Sequence, residues 1–193
     1  PLKTQMDWDN SGLLVGDPSR EITKILVALD ATLSVIREAE ALGAELVVTH
    51  HPIIFHPIKS LLAGTPPYEA ASRGIAVYSA HTCYDMAAGG VNDALADALG
   101  LQNRVPLWEE HPGQEGGRTL GFAGNLPCPM SREEFSGWVE EALGQRPGFV
   151  RYLPDAGPEI IRRVAVCGGA GTDCLKDAKP LGCEAYITGD VRH

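Results

Sequence analysis

Two adjacent histidines, His50 and His51, close the short apolar run ELVVT and are followed at once by Pro52. Imidazole is the commonest metal ligand, and it is the side chain whose unperturbed proton exchange falls near neutrality. Similar groups end other apolar runs: Asp30 follows ITKILVAL, His81 and Asp85 follow IAVYSA in SAHTCYD, and Asp190 follows AYITG. In open α/β sheets ligands collect beyond the carboxyl ends of the strands, so these positions are where a site is expected. Successive side chains at a strand end point in different directions, and neighbouring histidines therefore serve two ions more readily than one. A pair of metals roughly 3.5–4 Å apart suits that splay, with carboxylates between them and water as the nucleophile. Asp85, four residues after His81, is the nearest candidate carboxylate. A mixed imidazole and carboxylate set favours Zn, Fe, Mn or Co over Mg or Ca.

The same residues admit plainer roles. His50 and His51 can satisfy hydrogen bonds at a turn that Pro52 bends. Asp30 stands where a helix N-cap is expected, and His56 and His111 precede prolines as loop residues. The run VAVCGGAGTD, Val164 to Asp173, reads as a strand, a glycine-rich turn and a helix start. Amides exposed there could cradle a phosphate. The run lacks the Walker lysine and departs from G-x-G-x-x-G, so close strand-to-helix packing is the better reading. Cys167 and Cys174 have no evident base and read as buried filler.

The elements that must position these groups alternate. ITKILVAL is a strand; DATLSVIREAEALG places Leu33, Ile36, Ala39 and Leu42 near one helical face before Gly43; ELVVT is the next strand. PPYEAASRG is a short helix opened by prolines, IAVYSA a third strand and VNDALADALG a helix. Strands that are nearly unbroken apolar runs predict a mainly parallel sheet covered on both faces. Residues 102–121 are irregular and rich in Gly, Pro and charge, which marks a lobe junction and divides the chain into lobes 1–101 and 102–193. In the second lobe SREEFSGWVEEALG opens with a capping box, Ser131 with Glu134, and FVRYL, RRVAV and EAYIT read as strands.

Composition bounds the partners. Twenty-five acidic against sixteen basic residues give a formal charge of −9, which repels phosphate backbones and makes nucleic acid an unexpected partner. Five scattered cysteines form no disulfide framework, and no apolar run approaches the roughly 20 residues that span a bilayer. A cytoplasmic protein is expected. The chain starts at Pro1 and stops at His193, and it reads as an excerpt of a longer one.

WDNSGLLVG (8–16), VVTHHPIIF (47–55), SAHTCYD (79–85), VCGGAG (166–171) and YITGDVRH (186–193), in that order, resemble the dinuclear metal centre hexameric proteins. This Nif-three-like family is often labelled GTP cyclohydrolase 1 type 2 homologs. The resemblance implies two intertwined α/β lobes and a toroid of six subunits, with a two-metal site facing the cavity. It matches His50 and His51 to the paired histidine ligands and Asp85 to the carboxylate ligand. His81 matches a histidine expected beside the metals rather than among the primary ligands. The family completes its site with a histidine and a glutamate four residues later, beyond the motif that ends here at His193; the second lobe is thus expected to be truncated.

Three functions follow from these readings. The first is a metal-dependent hydrolase acting on a small molecule, GTP by the family label, with His50, His51 and Asp85 holding two divalent transition metal ions and His81 shuttling a proton. The second is a non-enzymatic hexameric metal-binding or regulatory protein. The third is a nucleotide or phosphate binder that uses CGGAG without chemistry.

Overall fold

Gly12–Val15 (β1), Ile25–Ala28 (β2), Leu33–Leu42 (α1), Leu46–Thr49 (β3), Pro66–Ser72 (α2), Ala76–Ser79 (β4) and Thr82–Asp85 (α3) follow one another in a computed structural model, which describes residues 2–110, 118–153 and 157–191. The strands form a sheet in the order β1-β4-β3-β2. β2 pairs with β3 and β3 with β4 in parallel, and β1 closes the sheet antiparallel to β4. The parallel pairs require crossovers, and α1 and α2 provide them. Ile36, Ala39 and Ala70 from these helices bury against Val47 and Val77, so both helices cover one face. Ile25, Val27 and Leu29 on the other side stay exposed, which departs from the expectation of a sheet covered on both faces.

α1 begins one turn later than Asp30. Its N-cap is Thr32, whose hydroxyl accepts the Val35 amide, and Gly43 ends it in the left-handed region at φ 68°. Asp30 is therefore free of the capping role expected of it and has another partner, described below.

The second sheet contains Gln102–Glu110 (β5), Arg118–Ser131 (β6), Ile160–Cys167 (β7) and Ala185–Thr188 (β8), in the order β5-β6-β7-β8. Val91–Ala98 (α4), Arg132–Ala142 (α5) and Leu175–Ala178 (α6) accompany it. β5-β6 and β6-β7 are antiparallel and β7-β8 is parallel. The α/β class holds in both units, but the second sheet is mostly antiparallel. Its long hairpin occupies the stretch that reads as irregular, because β5 is an edge strand with an exposed face. Such a position tolerates Pro106 and polar residues that hide the apolar pattern. FVRYL is not a strand; the Val150 amide instead donates to the buried Glu140 carboxylate at 2.9 Å. The capping box of α5 forms as read, with Ser131 and Glu134 bonded reciprocally.

By packing, the chain divides after Tyr84, earlier than the 101/102 junction read from the sequence. α4 lies on β6 and β7, where Ala96 and Leu99 join Val164 and Val166 in one buried cluster. No helix among the described residues is long and apolar enough to cross a membrane.

Ile36 is wholly buried, whereas Val27 is 75% exposed. Ile36→Ala is expected to lower unfolding free energy by about 2–5 kcal/mol, and Val27→Ala by less than about 0.5 kcal/mol, measured by urea titration.

Candidate metal centre

The end of β3 is tied down before its histidines begin. Thr49 and Ser79, both buried, share a 3.0 Å hydrogen bond across the parallel pair. The Thr49 hydroxyl donates to the His51 carbonyl at 2.9 Å, so Ser79 is the donor to Thr49. The His51 amide donates to the Leu29 carbonyl and the Ala80 amide to the Thr49 carbonyl. Two imidazoles thereby leave the sheet from a backbone held on both sides.

Each ring then has its Nδ1 engaged. His50 Nδ1 lies 3.0 Å from the Ala80 carbonyl, which can only accept, so this nitrogen is the donor and Nε2 is the one left for a ligand role. His51 Nδ1 lies 2.7 Å from Asp30 Oδ1, which gives Asp30 its role. His81 Nδ1 lies 2.8 Å from Asp9 Oδ1. Histidines that bind metal characteristically donate their second N–H to a carbonyl or carboxylate, and all three rings are prepared in that way.

His50, His81 and Asp85 each bring one ligand atom to within 4.8 Å of the others. His81 thus stands inside the cluster, where the sequence expectation put it beside the ligands. His51 is outside this triad, with its ring 5.0 Å from His50 and 5.9 Å from His81. That is the splay expected of adjacent strand-end residues. Asp85 ends α3, and its carbonyl accepts the side-chain amide of the buried Asn92 at 2.9 Å.

Asp9 is the functional residue that residue-type reasoning misses. Its side chain has no solvent exposure. It accepts the Asn10 amide, the Ser11 hydroxyl, the Thr82 amide and hydroxyl, and His81 Nδ1, all between 2.6 and 3.0 Å. Burial pushes this carboxyl up, but the bonds from Thr82, His81, Ser11 and Asn10 outweigh it and hold it at about 2. Asp9 is therefore ionised and purely an acceptor. The available signal was local: Asp-Asn-Ser is a turn-forming tripeptide that bonds its own backbone. Its long-range partner, 72 residues away, has no trace in the sequence.

The remaining expected positions lie elsewhere. Asp190 is exposed at the end of β8, and its amide donates to the Gly169 carbonyl. His56 is a loop residue whose ring touches Phe55. His111 and His193 lie outside the described residues. The CGGAG turn packs closely: the Gly168 amide donates to Asn92 and the Gly171 amide to Thr188. A Cβ on Gly171 would stand 2.7 Å from the Cys167 side chain. Cys167 and Cys174 are buried, and a hydrogen bond with Cys174, together with burial, pushes the Cys167 thiol far up. An open cleft of about 350 Å³ borders His51 and Asp30, walled by Pro52, Ile53, Pro66 and Pro67.

Because the Asp9 carboxyl is lower in the folded chain than its usual 3.8, its stabilisation is complete above that value and is lost as pH falls toward 2. The expected loss is roughly 2 kcal/mol between about pH 5 and pH 2. Asp9→Asn should flatten that slope in urea titrations of chelator-treated protein; an unchanged slope would place the acid sensitivity in another group.

The model of the Duf34/NIF3 (NGG1p interacting factor 3) family matches residues 1–193. A Clostridium perfringens protein named GTP cyclohydrolase 1 type 2 homolog is 36% identical over 197 residues, with 100% of this chain and 73% of that one covered. A Streptomyces coelicolor protein of the same name is 35% identical, covering 100% and 69%. Among solved structures, a Bacillus cereus protein related to NIF3 superposes with a TM-score of 0.87 at 25% identity, covering 100% of this chain and 79% of the other. With its whole described length matched in sequence and fold, and its paired histidines set among hydrogen-bonded carboxylates, the chain belongs to the Duf34/NIF3 family.

Proposed function

We propose that the chain is a metal-dependent hydrolase of a small molecule, resembling the proteins named GTP cyclohydrolase 1 type 2 homolog. The observation that carries this reading is the triad of His50, His81 and Asp85, whose ligand atoms lie within 4.8 Å of one another and whose histidines have Nδ1 engaged elsewhere. Two imidazoles and a carboxylate fit a divalent transition metal such as Zn, Fe, Mn or Co. His51, with Nδ1 on Asp30, presents Nε2 toward a second ion in this reading. Bound metal would supply Lewis acidity and a water that ionises near neutral pH.

The protein's own contribution is orientation. Ala80, Asp30 and Asp9 each fix one ring through its Nδ1, so the other nitrogen is oriented before any ion arrives. His81 serves here as a third donor; its alternative use as a proton shuttle would employ the same Asp9 bond. The toroid of six subunits and the cytoplasmic location belong to this proposal, and all five cysteines being free thiols supports a reducing compartment.

His50→Ala and Asp85→Asn are each expected to abolish binding at the triad, read as metal per subunit by elemental analysis, with hydrolysis lost in parallel. Turnover that persists in metal-free protein would overturn the hydrolase reading. For His81→Ala the expected outcome is loss of metal as well. Retained metal with an altered pH profile would instead make His81 the proton carrier. Light scattering tests the hexamer.

A further inference from the structure

Trp8 is 60% exposed and Phe55 39% exposed, although both are large apolar side chains. They stand against each other, ring centroids 6.2 Å apart at 70°, and both stand against His81, at 6.3 Å and 5.9 Å. Neither is on a loosely tethered loop. Trp8 directly precedes the buried Asp9, and Phe55 directly follows Ile54, whose carbonyl accepts the Asn10 side chain at 2.7 Å. Two aromatic surfaces are thus held in water, beside a histidine of the candidate metal triad, by the residues next to them in the chain.

We infer that Trp8 and Phe55 form the stacking platform on which this site holds a planar heteroaromatic ring, a nucleobase or a comparable heterocycle. The inference rests on the metal-site reading above and adds to it the residues that would recognise the ring. Two rings at 70° accept a third by offering a face from one and an edge from the other, the two arrangements aromatic pairs prefer. An aliphatic ligand would gain only buried area from such a corner. A ring lying on either surface would also lie near His81, whose imidazole stands 6.3 Å and 5.9 Å from the two aromatic rings. Trp8 and Phe55 are in this account binding residues and not catalytic ones.

The test is calorimetric titration of metal-loaded protein with GTP, ATP and CTP, and with inorganic tripolyphosphate as the ring-free probe. The wild type is expected to bind at least one of the three nucleotides about tenfold more tightly than tripolyphosphate, and Trp8→Leu and Phe55→Leu to erase most of that preference. Trp8→Phe should restore much of it. Metal content and tripolyphosphate affinity should stay unchanged in all three variants, which also reports that they fold. A wild type that binds no nucleotide better than tripolyphosphate overturns the platform, as does a preference that survives both leucine variants. The two readings fail separately. Ring preference in a protein that hydrolyses nothing sinks the hydrolase alone, whereas metal-dependent turnover without ring preference sinks the platform alone.

Discussion

A carboxylate with no exposure to water is the constraint on which the rest of the site depends. Burying an unpaired charge costs several kcal/mol, so Asp9 is tolerable only when nearly all its lone pairs are occupied. Two donors, the Asn10 amide and the Ser11 hydroxyl, come from its own turn, and the other three come from His81 and Thr82, just after β4. Removing any segment leaves the charge partly unsatisfied, so the N-terminal turn and the β4-to-α3 turn hold together or not at all. Ser11 strengthens the junction by accepting the His81 amide at 3.2 Å. Through this one group the position of Trp8, the orientation of the His81 ring and the start of the helix that carries Asp85 become a single geometric unit.

The three imidazoles all engage Nδ1 but with different partners. His50 donates to a neutral carbonyl, while His51 and His81 face carboxylates. The group behind an imidazole fixes the orientation in which its other nitrogen is offered, so the same residue type is held in three different ways. Exposure is graded too: the Asp9 behind His81 is dry, and the Asp30 behind His51 is half in solvent. Aqueous screening weakens the second pair relative to the first.

In the second unit the glycine-rich turn is an internal hub. Gly169 offers its carbonyl to the Gly189 and Asp190 amides and to the Thr188 hydroxyl, and the Gly168 amide is held by Asn92. Asn92 in turn holds the Asp85 carbonyl, so the β7 turn is connected through one buried amide side chain to the residue that ends α3. Glycine is needed here for approach: a side chain on Gly171 would collide with Cys167 and the Tyr186 hydroxyl.

Local pattern carried the sequence reading well wherever local physics decides. The buried face of α1 at Ile36 and Ala39, the capping box at Ser131, the parallel strands β2, β3 and β4 and the meeting of His50, His81 and Asp85 follow from periodicity, capping chemistry and strand polarity, whereas β1, four residues long and opened by Gly12, does not read as a strand. The hairpin of β5 and β6 escaped because an exposed edge strand needs no apolar alternation, and its pairing is stabilised by backbone bonds that any residue can make. FVRYL misled for the opposite reason, since β-prone residues pair only if a neighbouring strand is available. Residue types alone determined that imidazoles and carboxylates would meet at the ends of the first sheet's strands. Tertiary structure decided which of them meet: that Asp30 serves His51 rather than α1, that a dry Asp9 stands behind His81, and that His81 joins His50 and Asp85. Such pairings are made between groups up to 72 residues apart, and their energies depend on burial that exists only once the chain has folded.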